Sequence, residues 1–246
     1  MSPFELIPAI DLLGGLCVRL SQGRYDDATV YGDDPRAVAE RFALHPIRRL
    51  HVVDLDGART GHPANEDAIR AILGAAAHVP VQLGGGLRSH DAIDRALALG
   101  VDRVVLGTIA LREPALVRDA ARRHPGRIAV GIDAREGHVA VEGWTETSRL
   151  PAEDLARRFE DAGVAAIVYT DIARDGMLTG PNLIATAALA ERVGIPVIAS
   201  GGVGSLDDVR RAAALAKRGV AGVIVGRALY TGAVELGPAL EVVACS

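Results

Sequence analysis

The chain has 246 residues, of which 49% are hydrophobic, and carries a net charge of -4. It can form a large core, whereas the charge and 3% aromatic residues argue against the basic, ring-lined groove of a nucleic-acid-binding protein. Cys17 and Cys245 lie far apart and indicate neither a disulfide framework nor a zinc site. No apolar run is long enough to span a membrane and no signal-peptide pattern is present. We therefore expect a cytoplasmic protein without nucleic-acid or membrane partners.

Short apolar runs alternate with longer amphipathic runs, which is the pattern of βα units. Buried parallel strands are predicted over Leu6–Asp11, Leu50–Leu55, Val79–Leu83, Arg103–Leu106, Ile128–Ile132, Ala166–Thr170, Pro196–Ala199 and Gly222–Val225. Helices are predicted over Pro35–Ala43, Glu66–Ala76, His90–Leu99, Pro114–Arg123, Ala152–Ala162, Leu183–Val193, Leu206–Lys217 and Val234–Val243. Eight βα units predict an α/β fold, the (β/α)8 TIM barrel. An open doubly wound sheet is less favoured, because no GxGxxG motif follows the first strand.

The second half of the chain repeats the first. IPAID is answered by AVGID, and VDRVVLGTIAL is answered by VAGVIVGRALY. Asp54 stands 31 residues before Gly85 and Thr170 stands 31 residues before Gly201, which pairs Asp54 with Thr170. We therefore predict a single domain, residues 1–246, built from half-barrels of approximately residues 1–123 and 124–246. Such a doubled barrel places equivalent motifs on opposite sides of one mouth.

Polar residues end several predicted strands, where barrel enzymes carry their catalytic groups. Asp11 and Asp133 are repeat equivalents, so we expect them to face each other as an acid–base pair. A lone aspartate more often caps the following loop, but a matched pair favours the catalytic interpretation. Asp175, beside Gly176 on a loop that could close over a ligand, is a rival for the acid. Thr170 could position a reacting group, although a capping role fits its hydroxyl equally well.

Glycine pairs at strand ends predict two phosphate sites, because glycine lets backbone N–H groups approach an anion. The candidate residues are Gly85, Gly86, Gly107 and Thr108 in the first half, and Gly201, Gly202, Gly226 and Arg227 in the second. A lone glycine pair more often marks a tight turn, but two matched sets favour phosphate binding. Arg88 and Arg227 could add positive charge. Two sites indicate a small ligand with two phosphates.

Three further features bear on the site. The stretch from Leu12 to Asp34 is long for a connection and predicts a loop that carries Arg19 and acts as a lid. Trp144, the only tryptophan, lies in a polar stretch, where it could stack on a planar heterocycle or pack against the barrel rim. The seven histidines show no metal-ligand spacing, so we expect them on the surface or packed against helices, with no bound metal.

Seven motifs together resemble a known family. The chain contains IPAIDLLGGLCVRLSQG, HVVDLDGARTGHPAN, VQLGGGLRS, GWTETS, TDIARDGMLTGPN, ASGGVGSLDD and GVIVGRALY, which resemble the phosphoribosylformimino-aminoimidazole carboxamide ribotide (ProFAR) isomerases of histidine biosynthesis. The resemblance implies a bisphosphorylated substrate and an Amadori rearrangement of an aminoaldose to an aminoketose, with neither metal nor organic cofactor. It implies Asp11 as general base and Asp133 as general acid, with Asp175 as the alternative acid. It also implies that Trp144 stacks on the imidazole carboxamide and that Arg19 belongs to the closing first loop. A monomer is expected.

Two related activities and one non-catalytic alternative are less favoured by the sequence. The cyclase subunit of imidazole glycerol phosphate synthase resembles the chain less, because the GWTETS stretch is present and the cyclase's lysine after the first strand is absent. A bifunctional form that also isomerises phosphoribosyl anthranilate typically has an arginine before the glycine–tryptophan pair, where this chain has Glu142 before Gly143. A non-catalytic phosphosugar-binding barrel predicts loss of a strand-end carboxylate, and none is lost.

Overall fold

The structure is a computed structural model that describes residues 3–21, 23–141, 144 and 146–244. Its strands are β1 (Glu5–Leu13), β2 (Leu16–Ser21), β3 (Arg24–Gly32), β4 (Leu50–Asp54), β5 (Val81–Gly84), β6 (Arg103–Leu106), β7 (Ile128–Arg135), β8 (His138–Val141), β9 (Glu146–Pro151), β10 (Ala166–Asp171), β11 (Val197–Ser200) and β12 (Val220–Val225). Its helices are α1 (Pro35–Ala43), α2 (Leu55–Thr60), α3 (Glu66–Ala75), α4 (His90–Ala98), α5 (Thr108–Arg112), α6 (Pro114–Arg123), α7 (Ala152–Arg157), α8 (Leu183–Ala190), α9 (Leu206–Ala213), α10 (Arg227–Thr231) and α11 (Leu236–Ala244), with a 3-10 turn over Ala216–Arg218. Glu142, Gly143 and Cys245 lie outside the described residues.

The predicted (β/α)8 barrel is confirmed. Parallel pairing runs in the order β1, β4, β5, β6, β7, β10, β11, β12, and β12 pairs again with β1 to close the ring. Within this ring β1 and β7 are separated by the same number of strands in both directions, so they lie on opposite sides. The acidic residues that end them therefore come from opposite walls.

Two apolar layers build the barrel. Small and branched side chains fill its interior, namely Ile7, Ala9, Val105, Ala129, Ala166, Val168, Ile198 and Ile224. The other face of each strand packs against the surrounding helices in a larger core. Because side chains alternate along a strand, Asp11 lies on the same inward face as Ala9, and Thr170 on that of Val168. The strand pattern thus points the predicted site residues into the barrel mouth.

Pairs of antiparallel strands extend from the barrel after β1 and after β7. The first excursion is β2 and β3, and the second excursion is β8 and β9. The prediction of a loop from Leu12 to Asp34 was therefore wrong, since β1 continues to Leu13 and a hairpin follows it. The cause is that β3 is half exposed and rich in polar residues, which hides its strand pattern. The sequence also did not predict the short helices α2, α5 and α10.

The strand register corrects one detail of the repeat. Asp11 lies opposite Val53 in the β1–β4 pairing, and its counterpart Asp133 lies opposite Thr170 in the β7–β10 pairing. The structural counterpart of Thr170 is therefore Val53, and that of Asp54 is Asp171. Pairing Asp54 with Thr170 was wrong by one residue, which in a strand exchanges the inward and outward faces.

The hydrogen bonds of the two outward aspartates support this correction. Asn65 Nδ2 donates to Asp54 Oδ1 at 2.7 Å, and Asn182 Nδ2 donates to Asp171 Oδ2 at 2.6 Å. Each asparagine lies eleven residues after its aspartate. Asp54, which is 1% exposed, also accepts three backbone N–H groups and so has a structural role. Among the described helices, none is long and apolar enough to cross a membrane.

Candidate active site

One cavity lies at the carboxyl ends of the barrel strands. Its lining includes all of the residues that the sequence predicted for catalysis or binding: Asp11, Arg19, Gly85, Gly86, Arg88, Gly107, Thr108, Asp133, Trp144, Thr170, Asp175, Gly176, Gly201, Gly202, Gly226 and Arg227. The two candidate phosphate sites and the three candidate catalytic carboxyl groups are therefore parts of one site. The cavity is also lined by residues of the first excursion, including Gly23 and Tyr25.

Asp11, at the mouth end of β1, is paired with a cation. Arg19 Nη1 donates to Asp11 Oδ2 at 2.6 Å, and the two side chains are only 12% and 16% exposed. Burial raises the pKa of Asp11, while the adjacent guanidinium acts in the opposite direction. Arg19 comes from β2 of the first excursion, so that excursion provides part of the site rather than only a cover. The cation beside Asp11 favours the ionised form of its carboxyl group, which is the form that a general base needs.

Asp133, at the equivalent position on β7, has neutral hydrogen-bond donors instead. The Trp144 indole Nε1 donates to Asp133 Oδ2 at 2.8 Å, and the Thr170 hydroxyl also bonds to this carboxyl group. Burial raises the pKa of Asp133, and these two hydrogen bonds lower it in part. Of the two roles considered for Thr170, the structure thus places its hydroxyl on a candidate proton-transfer group.

Asp175, on the loop after β10, reaches the same cavity. Burial raises its pKa to about 7, and the charges of Asp11 and Asp133 act in the same direction while Arg19 opposes them. The loop is held close to the second glycine pair, because a Cβ on Gly201 would lie 3.4 Å from Asp175 Cβ. A carboxyl group with this pKa holds its proton for a large fraction of the time at neutral pH and can donate it.

The first glycine set packs tightly on the loop after β4. Gly85 and Gly86 have φ angles of 106° and 71°, which favour glycine, and a Cβ on Gly86 would lie 2.7 Å from the His62 carbonyl carbon. Arg88 Nη2 donates to the Ala58 carbonyl at 3.1 Å and lies against Gly61. These glycines are therefore required by backbone packing as well as by any ligand. Gly107 differs, since a Cβ there would meet no atom within 4 Å.

The second glycine set repeats this arrangement. Gly201 and Gly202 have φ angles of 86° and 89°, and a Cβ on Gly202 would lie 2.6 Å from the Gly180 carbonyl oxygen. Arg227 Nη1 donates to the Gly176 carbonyl at 2.5 Å, which connects the glycine set to the loop that carries Asp175. Both sets thus offer closely packed backbone with an arginine beside it, on the two sides of one cavity.

Trp144 joins the two excursions above the cavity. Its indole ring packs directly on Gly23, where a Cβ would collide with the ring. Trp144 has a φ of 73°, a backbone conformation that residues other than glycine rarely adopt. The hydrogen bond from its indole to Asp133 helps to hold this conformation. The two roles predicted for this residue were stacking on a planar heterocycle and packing against the barrel rim. In this structure the ring packs on Gly23, and stacking on a heterocycle stays a prediction. The indole lies in the cavity lining and contacts a candidate catalytic carboxyl group.

His51 is a site residue that the sequence did not predict. It lies on β4, is 8% exposed and lines the floor of the cavity, so the expectation of surface or helix-packing histidines was wrong for this one. Gln82 Nε2 donates to its Nδ1 at 2.8 Å, and Gln82 in turn accepts from Arg103 Nε at 3.0 Å. Burial and the charges of Arg19 and Arg103 lower the pKa of His51 to about 3. A histidine inside an apolar strand was the one feature of the sequence that could have indicated this site residue.

The described residues contain no group of three or more histidine, cysteine, aspartate or glutamate side chains placed to bind a metal ion. Cys17 is buried in the core with a free thiol, and burial raises its pKa to about 11.

Comparison with known proteins gives a consistent result. A profile of the protein family described as "Histidine biosynthesis protein" matches residues 5–235. A relative from Rhodospirillum rubrum is 64% identical over 239 residues, which are 97% of this chain and 99% of the relative. Relatives from Methylocella silvestris and Hahella chejuensis are 58% and 55% identical, over 97% and 94% of this chain and 97% and 95% of their own lengths. All three carry the name 1-(5-phosphoribosyl)-5-((5-phosphoribosylamino)methylideneamino) imidazole-4-carboxamide isomerase.

Proposed function

Since the chain belongs to the histidine biosynthesis protein family, we propose that it is an isomerase that converts the substrate named in its relatives, ProFAR, to the ribulosyl isomer. The observation that carries this proposal is that three carboxyl groups, those of Asp11, Asp133 and Asp175, line one cavity together with two glycine sets. ProFAR is an elongated molecule with a phosphate at each end, and its reacting sugar lies between them. Its shape therefore matches the order of groups across the mouth.

The proposed reaction needs one proton transfer from a general acid, one to a general base, and no cofactor. A general acid protonates the ring oxygen of the aminoaldose, the bond between this oxygen and C1′ breaks, and the chain opens as a protonated Schiff base. A general base then removes the proton from C2′ to give an enolamine. The enolamine then gains a proton at C1′ and loses the proton of the C2′ hydroxyl, which gives the aminoketose. Carboxyl groups of suitable pKa can carry out both transfers.

Asp11 is the proposed base, because Arg19 at 2.6 Å favours its ionised form. For the acid, Asp133 and Asp175 remain the two candidates. Burial raises the pKa of both carboxyl groups. In Asp133 the hydrogen bonds from Trp144 and Thr170 oppose this rise, whereas in Asp175 the charges of Asp11 and Asp133 add to it and Arg19 opposes it. We therefore place Asp175 first as the ring-opening acid, with Asp133 orienting the indole of Trp144.

The glycine sets are the proposed phosphate sites, with Arg88 on one side and Arg227 on the other. Arg227 bonds to the Gly176 carbonyl in this structure, so a phosphate at the second set would compete with that carbonyl for the guanidinium. Trp144 is proposed to leave Gly23 and stack on the imidazole carboxamide when substrate enters. With this activity we propose a monomeric, cytoplasmic enzyme that acts without a bound metal.

The test is turnover of ProFAR by the purified protein, followed through its absorbance change, together with phosphoribosyl anthranilate as a second substrate. We expect conversion of ProFAR alone. Asp11→Asn should lower kcat by roughly a thousandfold or more, since general base catalysis contributes about 100- to 10,000-fold. Asp175→Asn should lower it comparably, and Asp133→Asn less.

Three results would count against parts of this proposal. Absence of ProFAR turnover would contradict the function, and turnover of both substrates would show a bifunctional enzyme. A larger loss in Asp133→Asn than in Asp175→Asn would return the acid to Asp133.

A further inference from the structure

Tyr230 lies beside the Asp11–Arg19 pair without itself lining the cavity. It is on the short helix α10, and the Arg19 guanidinium carbon stands 5.2 Å from the centroid of its ring. This is the distance at which a cation is attracted by the face of an aromatic ring. The ring is fixed in turn by Tyr31, with centroids 5.2 Å apart, and by the edge of Phe42 at 5.8 Å.

A second contact connects the same residues. The Tyr230 hydroxyl donates to the Ala9 carbonyl oxygen at 3.0 Å, and Arg19 Nη2 donates to that same oxygen. Ala9 is two residues before Asp11 on β1. Its carbonyl oxygen therefore holds both Tyr230 and Arg19 close to the strand that carries Asp11. The guanidinium also packs on Gly226, where a Cβ would lie 2.5 Å from its carbon. Arg19 is therefore held by a ring, a carbonyl, a glycine and a carboxylate.

We propose that Tyr230 is a positioning residue, which holds the Arg19 guanidinium against Asp11 through its ring face and through the shared Ala9 carbonyl. The proposal deepens the proposed function, because it rests on Asp11 as the base of that reaction. It assigns to α10 a part in catalysis that is separate from phosphate binding by Gly226 and Arg227.

The internal repeat supports this assignment. By the alignment of VDRVVLGTIAL with VAGVIVGRALY, the counterpart of Tyr230 is Leu111, which packs against the apolar core. The counterpart of Asp11 is Asp133, whose bonded neighbours are Trp144 and Thr170. Tyr230 belongs to the second half of the chain and reaches the Asp11–Arg19 pair of the first half across the β12–β1 pairing. A tyrosine thus accompanies the repeat-equivalent aspartate that is bonded to a cation, and the equivalent position in the other half is a leucine.

Several titratable groups surround Asp11, and the effect of Tyr230 has to be separated from theirs. Those that interact with it electrostatically include Cys17 and Arg19 on β2, Tyr25 on β3, Asp175 on the loop after β10, and Tyr230 itself. Among them Arg19 is the cation. Release of Arg19 should therefore raise the pKa of Asp11, because a carboxylate that loses a nearby positive charge binds its proton more tightly.

The experiment compares Tyr230→Leu, Tyr230→Phe and the control Tyr31→Phe, which removes a neighbouring hydroxyl. In Tyr230→Leu we expect kcat/KM for ProFAR to fall about tenfold, as one lost cation–ring contact predicts. The acidic limb of its pH profile should move up by about one pH unit. Tyr230→Phe keeps the ring and should show a smaller loss and a smaller shift. Tyr31→Phe should behave as the unchanged protein.

Two further measurements decide whether Tyr230 acts through Arg19. In the background of Arg19→Met, Tyr230→Leu should add little further loss, since the cation that it holds is already gone. The Asp11 carboxyl pKa, followed by carbon NMR titration without substrate and assigned with Asp11→Asn, should rise in Tyr230→Leu. Additive losses in the double variant, or an unchanged Asp11 pKa in the folded variant, would overturn the proposal.

The NMR titration does not depend on turnover, so it tests the positioning role even if ProFAR proves not to be the substrate. Lack of wild-type turnover therefore counts against the proposed function alone. If Tyr230→Leu does not fold, Tyr230→Phe decides the question. A Tyr230→Phe variant whose Asp11 pKa and pH profile match those of Tyr31→Phe would also overturn the proposal.

Discussion

Asp175 lies in the cavity with Asp11, Asp133 and Arg19, and the pKa of its carboxyl group depends on all three. Burial raises that pKa from its ordinary 3.8 to about 7, with the two carboxylates adding to the rise and the guanidinium opposing it. In the unfolded chain these neighbours are absent and the carboxyl group ionises normally. The same residue that can supply a proton in catalysis therefore makes stability depend on pH.

Asp175→Asn should reveal this dependence. Between about pH 4 and 7 the unfolded chain has released the proton and the folded chain has kept it, so the contribution of Asp175 to wild-type stability falls as the pH rises. Above pH 7 the loss is complete and constant. We expect the Tm of the variant, measured by calorimetry, to match the wild type near pH 4 and to exceed it by roughly 10 °C at pH 7 and above.

Asp207→Asn, at a carboxylate that is 63% exposed, is the control and should show no comparable trend. A Tm difference between Asp175→Asn and the wild type that is the same at pH 4 and pH 8 would contradict the prediction.

At the scale of elements, the first excursion is tied to the barrel by one asparagine. Asn65, which is 7% exposed, accepts from the Gly15 backbone N–H at 2.8 Å and donates to Asp54 and Asp56. Asp56 also accepts from the Gly14 backbone N–H at 2.6 Å. The turn between β1 and β2 is thereby fixed to the loop after β4. Because β2 carries Arg19, this connection also positions the partner of Asp11.

Asn65→Ala should loosen that excursion more than it lowers global stability. The variant loses three side-chain hydrogen bonds, each contributing about 0.5–1.5 kcal/mol or somewhat more where a carboxylate is involved. We expect hydrogen exchange of the β2 and β3 amides to become at least about tenfold faster, and KM to rise.

Asn182→Ala is the matched control, since Asn182 bonds to Asp171 and caps α8, whereas Asn65 bonds to the first excursion. It should lower the Tm and leave exchange in β2 and β3 unchanged. Equal exchange rates in the two variants would argue against the anchoring role.

The predictability of the elements followed their length and their burial. Pro35–Ala43 and Pro114–Arg123 have the bounds that the sequence predicted, because a first-turn proline fixes the start and the apolar period runs to the end. α5 and α10 contain five residues each, too few to show a helical period. The strands of the excursions carry polar residues on exposed faces, so neither alternation nor an apolar run marks them.

The predictability of the site followed from the rule that barrel strands end at the site. That rule placed Asp11, Asp133 and both glycine sets around one cavity. It did not give the contacts between side chains, such as Trp144 with Asp133 or Arg19 with Asp11, because these depend on how the excursions fold back over the mouth. His51 was missed because its hydrogen-bond partner, Gln82, lies 31 residues away in the sequence. Apart from its place in an apolar strand, nothing near His51 in the chain therefore marks it as a site residue.

At the scale of the whole molecule, His51 and Asp175 act on stability in opposite directions. The pKa of His51 is lowered from 6.5 to about 3 in the folded protein, so below pH 6.5 the unfolded chain takes up a proton that the folded chain does not. Its contribution therefore falls as the pH falls, whereas that of Asp175 rises. Between about pH 4 and 6.5 the two effects offset each other.

We expect the wild-type Tm to vary little over this range. Replacing either residue alone should reveal the pH dependence of Tm that the other residue causes. His51→Gln, which can still bond to Gln82, should show a Tm that rises toward acid, and Asp175→Asn a Tm that falls toward acid. Each slope corresponds to about 1.4 kcal/mol per pH unit. The measurement is a set of melting curves at half-unit pH steps. Curves for both variants that run parallel to the wild type would contradict the prediction.

The near-equivalence of the two half-barrels has a consequence for how a ligand can enter. A molecule with similar charged groups at both ends meets a similar glycine set at each end in either orientation. Its end groups alone therefore do not determine the orientation in which it binds. The orientation is instead determined at the centre of the cavity, where Arg19 contacts Asp11 and the Trp144 indole contacts Asp133. A reversed molecule would occupy the mouth with its reacting carbon against the wrong acid. A bisphosphate of the right length whose centre contacts neither Arg19 nor Trp144 should therefore act as a competitive inhibitor that binds in either orientation.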